Sequence, residues 1–451
     1  MELTFYGGVG SVTGANYLLE SQGRKLLVEC GLVQGSGSSE EVNFKPFPYD
    51  PADVDYALVT HAHVDHTGRL PKLVSDGFEG VVVSTEPTRE FSRYLLEDSM
   101  NLLCNSSDTV EGKSFCNKDN LQNLFKFWEV RDFHEPFNLG PFEVEFFRAG
   151  HILGSSFISV SSAGKSVVFS GDLGNSPAPL LRQREDMSEL QPDVCLVESA
   201  YGGRIHESEK QAKDKLRGVI KKTMNAGGTL LVPSFAMERT QDLLFHIHKL
   251  IHENETPKVP IFLDSPLAID LTDVYEEYID YLNQEARHFV EEDGSFLEFP
   301  QLTKTYDSQA SRNINNISKP KVIIAGSGMS QGGRIIHHEK RYLPDSDSTI
   351  LFVGYQVEGS LGRAILDGAD SVKILGDEVP VNARVESMES YSAYADKPQL
   401  LNWVSSSRNS LKSVFVVQGE KGQSKELAEE IKKEFGVKAG VPNFGESKHI
   451  K

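Results

Sequence analysis

The chain is a succession of short apolar runs cut by glycine, asparagine and charged residues. Residues 17–19, 26–28, 56–59 and 81–83 are apolar over three or four positions and bounded by turn-forming or polar residues. That pattern predicts buried strands. Residues 142–147 and 157–160 alternate, and 167–169 and 194–197 continue the series. So many short strands predict a sandwich or layered sheet. Between residues 88 and 138 the pattern turns helical and more polar, which predicts helices packed outside the sheets.

After Tyr201 the character changes. The apolar runs 229–232, 259–263 and 322–325 are each followed by a helical stretch: one through Leu250, one over 267–282 and one over 332–342. Strands alternating with helices predict a parallel α/β domain. From about Val379 the strand pattern returns, with 414–417 as its clearest member. The simplest architecture is therefore a β-rich domain interrupted by an α/β insertion and completed by the C-terminal segment. There is no internal repeat, and 35–39 reads as a short flexible loop.

Composition narrows this reading in three ways. A chain of 451 residues is too long for one compact core and predicts two domains or one with a large insertion. A net charge of −19 lowers the expectation of tight, unaided binding to long nucleic acids, although bound divalent cations or a local basic groove invert such a field near a site. No apolar run approaches the roughly 20 residues of a membrane span. The segment Met1 to Tyr6 lacks a basic region followed by an apolar stretch, and Cys30, Cys104, Cys116 and Cys195 are scattered. The expectation is a cytoplasmic protein with reduced thiols.

The candidate chemistry begins at the end of the 56–59 run, with His61-Ala62-His63-Val64-Asp65-His66. Imidazole nitrogens suit zinc, and a carboxylate completes a site or bridges two ions. Four ligand-type side chains within six positions are hard to explain as a solvated loop. Ala149-Gly150-His151 and Ser170-Gly171-Asp172 each place a further donor at a strand end. Either alone is more often structural; in this order, after the first cluster, they read as one metal constellation.

With these segments in view, the sequence resembles the β-CASP branch of the metallo-β-lactamase superfamily, a family of RNA-processing nucleases. The match runs along nearly the whole chain. It includes Val197-Glu198-Ser199-Ala200-Tyr201-Gly202, Pro233-Ser234-Phe235-Ala236, Asp264-Ser265-Pro266, Ser327-Gly328-Met329 with Gly332-Gly333-Arg334, and Gly359-Ser360-Leu361-Gly362-Arg363. The resemblance implies an α/β fold: a metallo-β-lactamase αββα sandwich over 1–203 and 377–451, with an inserted parallel α/β β-CASP domain over 204–376. It also implies a nuclease cleft between the two.

Carried over residue by residue, the resemblance implies one zinc ion held by His61, His63, His151 and Asp172. A second is implied at Asp65, His66 and the bridging Asp172. Asp65, Asp172 and Glu198 are the carboxylates it assigns to catalysis, Glu198 as an orienting group beside the metals. Ser265, Ser327 and Tyr394 are the residues it turns toward the RNA backbone. The stretch 326–334 is not a Walker loop, since no Lys-Ser/Thr closes it; it reads equally as a tight strand-to-helix turn or a phosphate contact. Single-stranded RNA is the implied partner, and homodimerisation is common among the prokaryotic members.

Three departures fall at functional positions. Glu29-Cys30-Gly31 stands where the family has Asp-Cys-Gly, Tyr394 replaces a His in Ser-Ala-His-Ala-Asp, and Gln418 replaces the His of Val-His-Gly-Glu. A neutral amide oxygen is a poorer zinc ligand than imidazole, so a weakened second site, or Mn²⁺ in its place, is expected. Tyr394 cannot carry a histidine's positive charge, but its hydroxyl can donate a hydrogen bond. Two readings follow: a retuned metal-dependent ribonuclease, or a weakened or inactive relative that works as an RNA- or partner-binding subunit. A small-molecule hydrolase fits the insertion less well, and a diiron oxygen-reducing protein is disfavoured by His63.

Overall fold

The structure is a computed structural model that describes residues 1–35, 37–106, 118–206, 209–388 and 392–451. It divides into two compact units, Met1–Ile205 with Tyr394–Lys451, and His206–Ala393.

The first unit is built on two seven-stranded sheets. One runs, in spatial order, Ser447–His449, Glu2–Phe5, Tyr17–Ser21, Arg24–Val28, Tyr56–Leu58, Val81–Ser84 and Trp128–Val130. The other runs Lys438–Gly440, Ser413–Val417, Val194–Glu198, Lys165–Phe169, Ser156–Ser162, Phe142–Arg148 and Phe137–Leu139. Side chains alternate along a strand, and here both faces are covered. Leu26 and Val28 share a core with Phe142, Val144, Phe146, Val167 and Phe169 from the opposite sheet. Leu27, between them, packs with Leu70, Leu73, Leu96 and Leu124 on the outer helices. On the second sheet Val168 and Cys195 turn outward to Leu400, Trp403, Leu427 and Ile431. The result is four layers, αββα. Two-sided burial is why these strands read as continuous apolar runs rather than alternating ones.

The C-terminal segment enters both sheets. Ser413–Val417 lies parallel to Val194–Glu198, and Ser447–His449 pairs with Glu2–Phe5. The helix Lys397–Ser405 opens on Asp396, whose carboxylate accepts the Gln399 amide at 3.1 Å, and Trp403 Nε1 donates to the Glu185 carbonyl at 3.0 Å.

The second unit carries a six-stranded sheet in the order Leu302–Lys304, Ile261–Asp264, Lys321–Ala325, Thr229–Pro233, Thr349–Phe352, Arg384–Ser387. Every pairing in it is parallel, as the strand–helix alternation predicts. Its helices include Arg239–His252, Pro266–Glu277 and Ile335–Tyr342.

Two local expectations are corrected. Within the stretch read as helical, Trp128–Val130 and Phe137–Leu139 are edge strands, three residues each and too short to show a period. In the stretch read as a flexible loop, Ser36 lies outside the described residues and Gly37–Phe44 forms a 3-10 helix. Cys30 and Cys195 are buried free thiols, whereas Cys116 and the side chain of Cys104 lie outside the described residues. No described helix is long and apolar enough to cross a membrane.

Candidate metal centre

The strand Tyr56–Leu58 delivers Thr60 and His61 to the edge of the first unit's core, and the four-residue helix Val64–Thr67 follows with His63 at its cap. This turn is clamped from behind by Glu29-Cys30-Gly31. The Cys30 amide donates to the His66 carbonyl at 2.8 Å, and the Ala15 amide donates to the Asp65 carbonyl at 3.0 Å. A β-carbon on Gly31 would lie 1.5 Å from that Asp65 oxygen, so only glycine fits. His151 comes from the turn between Phe142–Arg148 and Ser156–Ser162, and Asp172 from the turn after Lys165–Phe169.

These turns bring His61, His63, His151 and Asp172 together, with one donor atom of each within 4.8 Å of all the others. His63 Nδ1 lies 3.1 Å from His61 Nε2 and 3.2 Å from His151 Nε2. Asp172 Oδ2 is 3.5 Å from both of those Nε2 atoms. Ring nitrogens aimed at one another and at a carboxylate repel through their lone pairs unless protons or a cation lie between them. Three imidazoles and a carboxylate are the donor set that zinc takes, and these residues fit that ion. Thr60 Oγ1 holds His61 Nδ1 at 3.0 Å, leaving Nε2 for the centre. Burial, and the neighbouring His66, His63 and His151, push His61 well below the usual histidine range, so its ring is neutral and ready to ligate.

Asp65 and His66 lie beside this group. His66 Nε2 is 3.4 Å from Asp172 Oδ1 and 3.8 Å from Asp65 Oδ2. Its other nitrogen, Nδ1, meets Glu29 Oε2 at 2.9 Å, while Glu29 Oε1 accepts the Thr60 amide at 2.9 Å. Burial opposes a charge on His66, but Asp172, Glu29 and Asp65 outweigh it and raise His66 well above its usual range. Burial also pushes the Asp65 carboxyl up to about 6, against the pull of His66. The same surroundings act oppositely on Asp172: burial raises it, yet His66, His151 and His63 hold it well below the carboxylate range.

Glu198 stands one layer back. It accepts the Ala200 amide at 2.8 Å and the Leu173 amide at 3.4 Å, and so fixes the backbone next to Asp172. Burial and the Asp172 charge raise it well above the usual range. Tyr394 forms an isolated β-bridge with Gly174. Its ring packs on His151 with centroids 4.6 Å apart and stacks on Tyr201 at 5.6 Å. Gln418 is buried beside these side chains: its Nε2 lies 2.9 Å from Asp172 Oδ1 and 3.0 Å from His66 Nε2.

In the second unit Ser265 and Ser327 follow neighbouring parallel strands in which Asp264 pairs with Ala325. Ser265 caps the helix Pro266–Glu277, and Ser327 Oγ accepts the Gln331 amide at 3.1 Å. The stretch 326–334 is a stitched turn, with the Ile335 amide on the Gly326 carbonyl at 2.9 Å. Arg334 is spent on Asp264 Oδ1 at 2.7 Å and on the Thr305 and Tyr306 carbonyls. Sequence reasoning did not foresee the supporting roles of Glu29 and Thr60. The one available signal was Glu29 itself, a departure at a functional position.

Comparison with known proteins agrees with this geometry. Residues 10–218 match the metallo-beta-lactamase superfamily, 240–365 the Beta-Casp domain, and 378–442 the Zn-dependent metallo-hydrolase RNA specificity domain. The chain is 34% identical to Ribonuclease TTHA0252 of Thermus thermophilus over 99% of both chains. It is 29% identical to an RNase J-like protein of Methanocaldococcus jannaschii over 98% of both. It is 28% identical to transcription termination factor FttA of Methanosarcina mazei, over 97% of this chain and 70% of that one. A protein of unknown function from Enterococcus faecalis shares the fold, with a TM-score of 0.59 at 11% identity over 99% of both chains. The chain belongs to the β-CASP family of the metallo-β-lactamase superfamily.

Proposed function

We propose that this protein is a zinc-dependent ribonuclease acting on single-stranded RNA. The observation that carries the proposal is the convergence of His61, His63, His151 and Asp172 in one buried group, on a chain resembling a ribonuclease along its whole length. These four residues hold the ion. Zinc in such a site supplies Lewis-acid polarisation of a phosphoryl oxygen and acidification of water.

The remaining roles belong to the protein's own groups. Thr60 and Glu29 fix the rings of His61 and His66, so the donors stay aimed without reorganisation. Asp65 is the carboxylate assigned to hold the attacking water and take its proton. Glu198 keeps Asp172 in place through the Leu173 amide. The Tyr394 hydroxyl donates to the scissile phosphate or the leaving oxygen, where a histidine's charge is absent. Ser265 and Ser327 sit at the carboxyl ends of parallel strands, where α/β sheets bind ligands, and are assigned to the RNA backbone. Buried free thiols at Cys30 and Cys195 suit a cytoplasmic location.

The test is cleavage of end-labelled single-stranded RNA with Zn²⁺ or Mn²⁺, comparing wild type with Asp172→Ala and following binding of the same RNA by anisotropy. Metal-dependent cleavage lost in the variant supports the proposal. Binding without cleavage under either ion refutes it and favours the binding-subunit reading.

A further inference from the structure

We propose that the metal centre holds a single ion, because Gln418 turns its side-chain amide nitrogen, and not a donor atom, toward the atoms of His66 and Asp172 that a second would take as ligands. The inference rests on the assignment of His61, His63, His151 and Asp172 as the ion-binding group.

The argument starts from the amide's position. Its nitrogen is 2.9 Å from Asp172 Oδ1 and 3.0 Å from His66 Nε2. The nitrogen donates to Asp172 Oδ1 at a hydrogen-bond length and packs against the His66 ring nitrogen. These are the two atoms a second ion would take as ligands. The other His66 ring nitrogen, Nδ1, is held by Glu29 Oε2. An amide N–H₂ has no lone pair to offer a metal, so Gln418 as it is turned here supplies no donor to a second ion.

Gln418 is also held from every side. Its amide oxygen accepts from the Tyr17 hydroxyl at 3.4 Å, and its own backbone N–H donates to the Gly8 carbonyl at 2.6 Å. The Gln418 backbone is left-handed, with φ of 49°, a conformation that costs a non-glycine residue energy and persists only where surroundings enforce it. Gly8 is part of that enforcement: its φ is +62°, and a β-carbon there would fall 2.5 Å from the Tyr17 hydroxyl and 3.2 Å from Gln418 Cγ. With 2% of its surface exposed, Gln418 has no solvent-facing alternative. Building a second site means turning the amide over, losing the N–H bond to Asp172 and the Tyr17 bond to the amide oxygen, and relying on one neutral oxygen.

Metal counting tests this without reference to activity. Chelator-stripped protein is dialysed against excess Zn²⁺, and bound zinc is measured by mass spectrometry for wild type, Gln418→His and Gln418→Ala. The expected result is about one ion per chain in wild type and in Gln418→Ala, rising to about two in Gln418→His. In the stripped state Gln418→Ala should melt below wild type, because His66 and Asp172 lose their shared partner. Two tightly held ions in wild type overturn the single-ion proposal and leave the ribonuclease reading standing. No bound ion in a folded wild type overturns both.

Discussion

Glu29 and His66 are bonded face to face at 2.9 Å with both side chains fully buried, although they come from different strand ends. The same carboxylate also accepts the Thr60 amide. Glu29 thus ties the turn carrying His61 to the helix carrying His66. Glu29→Ala leaves two buried groups unpaired, at about 1–3 kcal/mol each. Urea unfolding of the metal-free protein should show that loss, with Glu29→Gln retaining part of the stability. An unchanged midpoint in Glu29→Ala would mean that the pair contributes nothing.

Tyr394 separates packing from chemistry. Its ring rests on His151 and Tyr201, and Tyr394→Phe keeps those contacts while removing the hydroxyl. The expected result is a melting temperature near wild type and a kcat lowered by about tenfold to a thousandfold at similar KM, the range for a donor that acts in the transition state. Equal reduction of stability and activity would assign Tyr394 a packing role only.

Asp264 governs the acid limb of stability in the second unit. Burial opposes its charge, but His338, Ser311, Thr305 and Arg334 outweigh this and hold the carboxyl well below the usual range. A group depressed in the folded state contributes stability above its unfolded pKa of about 4, and that contribution is lost as pH falls through the folded value. Asp264→Asn removes the charge that Arg334 and His338 share, leaving Arg334 its two carbonyl partners, and should cost about 1–3 kcal/mol at pH 7. Its deficit should shrink between pH 4 and pH 2 in urea titrations. A deficit constant with pH would contradict this account.

Much of the fold was legible because two-sided burial writes strands as plain apolar runs, as at 26–28, 167–169 and 194–197. The parallel insertion was legible from its strand–helix alternation. Edge strands such as Trp128–Val130 were not, since three residues, one buried and two exposed, carry no period. At the site, the histidines and aspartate that converge stood out by type and spacing. Their supports did not: Thr60 is an ordinary residue until the chain folds, and Glu29 stands 37 positions from the His66 it fixes. The contact of Gln418 with His66 and Asp172 spans 352 and 246 positions. Sequence could register it only as a poor ligand, whereas the structure sets its amide nitrogen against His66 and Asp172.

The proposed chemistry is hydrolysis of RNA by the buried histidine–aspartate group through a bound zinc ion. Its most direct test follows cleavage of single-stranded RNA while Zn²⁺ is returned to chelator-stripped protein and bound zinc is counted in parallel. The account predicts a rate that rises in proportion to occupancy and levels off at about one ion per chain, with His151→Ala folded but inactive throughout. Cleavage that persists without metal, or that survives intact in His151→Ala, would contradict it.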